Sequence, residues 1–443
     1  MSSPAVNIEN AAAAPAAVKS KVRTDHHLWG TYILLVIIAI IELFSASIQE
    51  VNDGDIFRPI MRHGAFLLGG LIIMLLMQKM HFRHIYALIP LYVVGSIAMM
   101  IAVRFVGTEI NGAMRAIRVA GIPVLPAEFM KLAAALGMAW ILSRNQMKGM
   151  RDVTTRGLVY SLVFLYFCAG LLFSQGLSNT IVVMAIGFSM MLVGGMGWRK
   201  FGIALGITAV VGVVAIGAKT LVKHDDAMTP QQELAYTLNK ENPTEVAGHG
   251  RGQTWRNRVA RHFRPDKHLE KFSIDNQQEQ LSYIAQAHGG LTGVGIGRSR
   301  ENARLPLAFS DYIYAIIIEE MGLFVGLGIL ACYIWILGRS AKLTVCFKQT
   351  LPGVLVMGCA FVIVFQALYH MAIVSGGFPV SGQPLPLISK GGISVLVTSM
   401  AFGIMLSCAR HAVRTTDTKA ELRQEIEMLP EEARSANPAE IVR

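Results

Sequence analysis

Charge is what this chain has little of. Asp, Glu, Lys and Arg make up 16% of its 443 residues, against the roughly 25% usual in soluble domains. Cysteine is sparse too. The five (Cys168, Cys332, Cys346, Cys359, Cys408) fall in apolar runs or short loops, and none lies in the long polar stretch 220–309. That distribution argues against a disulfide framework and a structural zinc site. The N-terminus (MSSPAVNIENAAAAPAAVKSKVRTDHH) has no apolar core ahead of its basic residues, so a cytoplasmic tail and an uncleaved first helix are expected in place of a signal peptide. His26, His27, His63, His81 and His84 share no ligand spacing. The glycine-rich GVGIG run at 293–297 follows no predicted strand, so it is not read as a nucleotide loop.

What fills the chain instead is apolar: 53% of residues are hydrophobic, in recurring runs of about 18 residues or more. The reading is an all-α polytopic membrane protein with ten transmembrane helices near 31–48, 63–79, 85–105, 126–143, 157–174, 178–196, 201–219, 310–337, 352–375 and 391–410. A disordered cytoplasmic tail is expected over 1–30, helices one to seven over 31–219, a large extracytoplasmic loop over 220–309, helices eight to ten over 310–410, and a cytoplasmic tail over 411–443. Lys79, Arg83, Arg144, Lys148, Arg151, Arg156, Arg199, Lys200, Arg339, Lys342, Lys348 and Arg410 then share one side, while the connection at 174–178 carries no Lys or Arg. By the positive-inside rule this is an N-in, C-in chain. The net charge of +11 therefore points to membrane lipids, not nucleic acid. The basic run WRNRVARHFRPDKHLEK within the large loop asks for an anionic partner outside the cytoplasm. The 222–250 stretch is either a partner site or an insertion.

Four polar clusters converge on the external helix ends. In 111–131, Arg115 and Arg118 lie three apart, Pro126 suits a first helical turn, and Glu128 and Lys131 follow within one turn, as substrate contacts or as a structural ion pair. The segment 280–306 is glycine-rich and then basic, with Arg298 and Arg304. Asp311 sits where the eighth apolar run meets water. The segment 375–394 is broken by Pro and Gly and is expected to dip back toward the bilayer. Boundary carboxylates are functional candidates, although a helix N-terminus alone also favours an Asp. On one uninterrupted helix, Glu320 points about 180° from Asp311 and Glu319 about 80°, and both lie roughly 12–14 Å deeper. Those two acids are therefore expected to lock the helix to its neighbours, leaving Asp311 to the outer cavity.

Taken together, FSAS at 44–47, NGAMRAIR at 111–118, PAEFMKL at 126–132, GGLTGVGIGRSR at 289–300, LPLAFSDYIYAIIIEEMG at 305–322 and PVSGQPLPLISKGG at 379–392 resemble the SEDS family (shape, elongation, division and sporulation), which includes FtsW, RodA and SpoVE. The resemblance implies polymerisation of lipid II, the disaccharide-peptide on undecaprenyl pyrophosphate, into peptidoglycan glycan strands at the outer leaflet. The family's essential acid, in His-Thr-Asp-Phe-Ile-Phe, corresponds to Asp311 in Phe309-Ser310-Asp311-Tyr312-Ile313-Tyr314. Its Ser-Tyr-Gly-Gly corresponds to Ser389-Lys390-Gly391-Gly392, which puts Ser389 among the substrate contacts and makes Gly391 and Gly392 structural. The chain departs elsewhere. The usual Pro-Glu is Pro306-Leu307, Arg-Trp-Ile is Arg115-Ala116-Ile117, Gln-Pro-Ser-Glu is Leu125-Pro126-Ala127-Glu128, Gln-Pro-Asp-Leu-Gly-Thr is Gln175-Gly176-Leu177-Ser178-Asn179-Thr180, and a family Asn is His370. The run at 310–320 looks like the division branch, typified by FtsW, more than the elongation branch.

The implied chemistry needs one base and several cations, because a lipid diphosphate leaves without a general acid. Asp311 is expected to take the proton of the acceptor sugar's 4-hydroxyl, with inversion at the donor carbon. Arg115, Arg118, Lys131, Arg298, Arg304 and Lys390 would neutralise the diphosphate, with Mg²⁺ or Mn²⁺ as a compatible cofactor. Implied partners are a class B penicillin-binding protein, which cross-links strands, and other divisome proteins. The implied location is the bacterial inner membrane at the septum. Two rivals stand: a lipid II flippase, which the acids Glu42, Glu319 and Glu320 in apolar runs would suit, and a non-catalytic division scaffold.

Overall fold

The computed structural model describes residues 24–50, 57–109, 114–119, 121–147, 152–222, 259, 262–263, 276–302, 304–305 and 308–412. The tails expected at either end, the 222–250 stretch beyond Val222, and most of the basic run lie outside these residues. Long helices dominate: α1 (His26–Glu50), α2 (Phe57–Lys79), α3 (Phe82–Val106), α4 (Pro126–Arg144), α5 (Thr155–Phe173), α6 (Leu177–Val193) and α7 (Trp198–Val222). After the large loop come α8 (Gln277–Gly289), the short α9 (Ala308–Asp311) and α10 (Ile313–Met321), then α11 (Leu323–Cys346), α12 (Thr350–Val374) and α13 (Gly392–His411). Among the described residues, seven of these are long and apolar enough to cross a membrane, and α6 is a shorter apolar helix.

Burial sorts the helices into a centre and a ring. The spans of α12 and α13 are 83% buried inside the protein, whereas those of α2, α3 and α11 are only 22–28% buried. α4 is buried along nearly its whole length, and its middle is rich in small residues, Ala133–Ala135, Gly137 and Ala139. Small side chains let helices approach closely where lipid offers no hydrophobic drive between them. The ring helices turn residues such as Leu91, Phe105, Val163, Phe324 and Trp335 outward, as lipid-facing positions require.

Two expectations are corrected. The chain is not wholly α: β1 (Thr108–Glu109), β2 (Met114–Val119) and β3 (Ile122–Val124) form a three-stranded antiparallel sheet between α3 and α4. Ile117 pairs with Val124 and Arg118 with Pro123. The expected eighth helix over 310–337 is also three helices, with the long one starting at Leu323. Tyr312 leaves the helical region (φ −129°, ψ 17°) and ends α9 after one turn. Gly322 takes φ +87°, and a Cβ there would lie 2.4 Å from the Leu291 carbonyl oxygen. Only glycine fits that backbone. Hydropathy cannot register either break, because each is set by backbone angles and the averaged apolar character of the run continues across it. The wheel relating Asp311 to Glu319 and Glu320 therefore does not apply.

Candidate functional site

The Pro/Gly-rich segment 375–391 between α12 and α13 is irregular; its first half is exposed or half-buried, and its second half is packed inside the protein, with Gln383 and Leu385 through Ser389 buried. Buried irregular backbone must find its hydrogen bonds locally. The Ser389 hydroxyl accepts from the Leu385 N–H at 2.6 Å and donates to the Ser310 carbonyl at 2.9 Å. The Lys390 N–H donates to the Phe309 carbonyl at 3.0 Å. From α11, the Tyr333 hydroxyl donates to the Pro386 carbonyl at 2.6 Å. These ties hold Leu387 at φ +66°, the single non-glycine residue with positive φ among the described residues. Strain of this kind persists only where the surroundings over-determine it.

That segment is the bed on which α9, and so Asp311, rests. The Asp311 side chain is half-buried, and its carboxylate lies against the bare Cα of Gly382. A Cβ at 382 would stand 2.7 Å from Asp311 Oδ2. Ser389, expected at the substrate, is buried and ties the segment to α9.

One residue further on, Gln383 belongs to a buried polar network. Lys131, fully buried on α4, donates to Glu128 Oε1 at 2.7 Å, Gln366 Oε1 at 2.8 Å and Gln383 Oε1 at 3.3 Å. Gln366 donates to Glu128 Oε2 and to the Pro384 carbonyl, and Gln383 donates to Asn179 Oδ1 at 2.8 Å. The His370 Nδ1–H donates to the Gln383 carbonyl at 2.6 Å. Three protons on the Lys131 ammonium thus meet three protein oxygens. The pair sits here as an internal strut joining α4, α6 and α12 to the segment bearing Gly382. Gln366, Gln383 and Gly382 were not singled out from sequence. One signal was present: Gln366 and His370, four apart in an otherwise apolar helix, mark a polar inner face.

Glu319 and Glu320 are both buried and organise the glycine-rich loop 290–302. Glu319 accepts from the Ser299 hydroxyl and from the Arg300 N–H at 3.1 Å. Glu320 accepts from the Ser45 hydroxyl at 2.5 Å and from the Gly297 N–H at 3.0 Å. Their carbonyls take the N–H groups of Val294 and Gly295 at 2.9 Å. Beside this loop, α8 closes the end of α12: Ser282 and Gln286 both donate to the Val374 carbonyl, at 3.0 and 2.9 Å. Tyr283 on α8 donates to Glu279 Oε1 at 2.7 Å. Burial, then Glu279, pushes its phenol above the usual range.

The arginines are spread over the surrounding loops. Arg115 and Arg118 sit on β2, where residues three apart face opposite sides; Arg115 is half-buried and Arg118 exposed. Arg298 is exposed, and Arg304, also exposed, has Nη1 3.6 Å from Glu301 Oε1. Lys390 turns to a small cavity that it shares with Glu42 and His63. Pro126 takes the first turn of α4. Gly391 lies against Pro384, and a Cβ at Gly392 would strike the Phe66 ring at 2.5 Å. Among the described residues, no group of three or more His, Cys, Asp or Glu is arranged to hold a metal ion. The oxygens fixing α9, two backbone carbonyls and one serine hydroxyl, do not make a protein cage for a divalent cation.

Comparison with known proteins agrees with this architecture. The model of the FtsW/RodA/SpoVE family, described as "Cell cycle protein", matches residues 25–414. A probable peptidoglycan glycosyltransferase FtsW of Idiomarina loihiensis is 27% identical over 390 residues, covering 86% of each chain. The peptidoglycan glycosyltransferase MrdB of Escherichia coli is 26% identical over 381 residues, covering 85% of this chain and 92% of that one. Among solved structures, one described as "Structural coordination of polymerization and crosslinking by a peptidoglycan synthase complex" aligns with a TM-score of 0.63 at 22% identity, over 88% of this chain and 98% of that one. The rod shape determining protein RodA of Thermus thermophilus aligns with a TM-score of 0.58 at 20% identity, over 88% of this chain and 97% of that one. With apolar spans from α1 to α13 and a family match across nearly all of them, the chain is a multi-pass membrane protein that belongs to the FtsW/RodA/SpoVE family of cell cycle proteins.

Proposed function

We propose that this protein is a peptidoglycan glycosyltransferase that polymerises lipid II into β-1,4-linked glycan strands at the outer leaflet. The observation that carries the reading is the seat of Asp311: a half-buried carboxylate on a one-turn helix, held against Gly382 by a segment that is itself hydrogen-bonded at Ser389, Lys390 and Gln383. A base must be fixed before it can act on a substrate that arrives by diffusion in the bilayer. The family match and the names of the relatives support the same chemistry.

In this reading Asp311 accepts the proton of the acceptor's 4-hydroxyl as that oxygen bonds to the donor's anomeric carbon. The bond from that carbon to the diphosphate oxygen breaks, its electron pair leaves with the lipid diphosphate, and the carbon inverts. Arg115, Arg118, Arg298 and Arg304 supply the positive charge that the diphosphate needs. Lys131 holds the framework. A Mg²⁺ or Mn²⁺ ion, if used, arrives on the phosphate oxygens of the substrate. Ten spans with both termini inside are part of the proposal, supported by the basic residues gathered at one set of helix ends. Reporter fusions at α8 and after α13 test that arrangement.

Septal synthesis is the favoured role, alongside a class B penicillin-binding protein and other divisome proteins in the inner membrane. The rod-type elongation role has the same chemistry, and complementation of division-deficient or elongation-deficient cells separates the two. The deciding experiment incubates the purified chain in detergent with lipid II, with and without a class B partner and divalent metal. Glycan polymer from wild type and none from a folded Asp311→Ala variant is the expected result. Polymer from both would overturn the role of Asp311. A flippase or scaffold would yield none from either.

A further inference from the structure

The end of the molecule opposite Asp311 carries a cluster of bases with no acid among them. α13 starts beside the bed of Asp311 and runs for 20 residues to His411, a rise of about 30 Å. The His411 ring centre lies 5.1 Å from that of His81 in the α2–α3 turn, and His81 lies 6.4 Å from His84 of α3. Ser407 of α13 donates to the Met80 carbonyl at 2.6 Å and ties the two parts together. Lys79, Arg83 and His84 are exposed, and Arg410 has a buried Nε without a hydrogen-bond partner. Among the described residues no carboxylate pairs with any of these groups. Asp25 and Asp152, in other connections, are taken by Arg339 and Lys200. Burial, and then His411, Arg83 and His84, holds the His81 imidazole below its usual range.

The hydrogen bonds fix what each ring can offer. His81 Nδ1 accepts from the Arg83 N–H at 3.2 Å as the cap of α3, so its proton is on Nε2. His411 Nδ1–H donates to the Ser407 carbonyl at 3.0 Å, and a second proton on its Nε2 costs it no bond. Apolar stripes lead to these groups from the bilayer. On α2, Ile72, Leu75 and Leu76 are exposed, and Lys79 follows the two leucines by one turn. On α3, exposed His84 is followed on the same face by exposed Leu88 and Leu91. Lipid-facing side chains that end in cations fit an anionic phospholipid, with its tails along the stripes and its phosphate among the bases. We infer that the α2–α3 turn and the end of α13 form a binding site for the headgroup of an anionic phospholipid, in the leaflet opposite Asp311. Arg83, His84 and His411 supply the charge, and His81 contributes a neutral Nε2–H. The phosphate stabilises the protonated forms of His84 and His411, so binding takes up protons and tightens as pH falls. None of this depends on the proposed polymerase function.

The test titrates the full-length protein in detergent with phosphatidylglycerol, phosphatidylcholine or inorganic phosphate, reading the thermal unfolding midpoint at pH 6 and pH 8. Phosphatidylglycerol is expected to raise the midpoint at a lower concentration than phosphatidylcholine, and at pH 6 to need several-fold less than at pH 8. Arg83→Gln combined with His84→Gln, both on exposed side chains, should need about tenfold more phosphatidylglycerol. Arg156→Gln, which removes an exposed charge at the start of α5, should bind as wild type does. His411→Gln should narrow the difference between pH 6 and pH 8. Equal responses to the two lipids, or a double variant that binds like wild type, would overturn the site. A shift with inorganic phosphate equal to that with phosphatidylglycerol would overturn the lipid and leave a site for soluble phosphate. Should the double variant fail to fold, native mass spectrometry of wild type decides. Phosphatidylglycerol retained over phosphatidylcholine, and more at pH 6 than at pH 8, supports the site, and no preference overturns it.

Discussion

One methyl group at position 382 is the sharpest probe of the site. Alanine there would put its Cβ 2.7 Å from Asp311 Oδ2 and 3.3 Å from Cγ, closer than such atoms approach. The clashing group is the far end of a short side chain, so the side chain moves and the backbone does not. Gly382 carries no positive φ that alanine would strain. Stability should barely change. Activity should not survive as well, because a displacement of about 1 Å at a reacting group can lower the rate roughly 100-fold. We expect Gly382→Ala to unfold at the wild-type temperature and to polymerise lipid II about two orders of magnitude more slowly. Wild-type turnover by this variant would mean that the Asp311 carboxylate is not held where the chemistry needs it.

At the scale of elements, the question is what keeps the 375–391 segment in register. The Lys131 strut is the main internal tie, since it joins that segment to α4, α6 and α12 without any contribution from solvent. Removing one partner of a buried charge pair strands the other, at about 3–5 kcal/mol, whereas replacing both with apolar groups can be nearly neutral. Lys131→Met should therefore lower the unfolding temperature sharply. Glu128→Met combined with Lys131→Met should recover much of it, as differential scanning fluorimetry would record. Equal losses in the two would contradict a mutually satisfied pair. The sequence made part of this arrangement legible. The spacing of Glu128 and Lys131 offered an ion pair, and the helices announced themselves by hydropathy. It concealed the rest for physical reasons. The partners Gln366 and Gln383 are 17 residues apart in chain and meet only because α12 turns back through an irregular loop. The break at Gly322 depends on a backbone angle and a contact with Leu291, neither of which an apolar window records. The β2 strand hid because Met-Arg-Ala-Ile-Arg-Val does not alternate, and its exposure pattern follows from the sheet it joins.

Across the whole molecule, the ring of helices is clasped by carboxylates that lie just outside the helices. Asp152 accepts from Lys200 Nζ at 2.6 Å and from the Gly197 N–H at 3.0 Å, linking the α4–α5 turn to the start of α7. Asp25 does more. It caps α1 by accepting from the His27 and Leu28 N–H groups at 3.2 Å, and it takes Arg339 of α11 at 2.7 Å from Nη2 and 3.0 Å from Nε. Burial by itself would raise the Asp25 carboxyl, but the Arg339 and helix N–H bonds outweigh it and hold the group below the usual carboxylate range. A depressed folded value means that the ionised form is the one the fold prefers. Its contribution is then fully present above the unfolded carboxyl value of about 3.9 and is lost as pH falls through the lower folded value. Thermal midpoints should accordingly stay level from pH 8 to about 5 and decline below about 4. Asp25→Asn should lower the neutral midpoint, since hydrogen bonds to a charged group contribute roughly 1.5–3 kcal/mol, and it should flatten the acid decline. An Asp25→Asn protein that declined as steeply as wild type would assign acid sensitivity to another carboxylate, with Asp152, held low by Lys200 and then by Gly197, next to be changed.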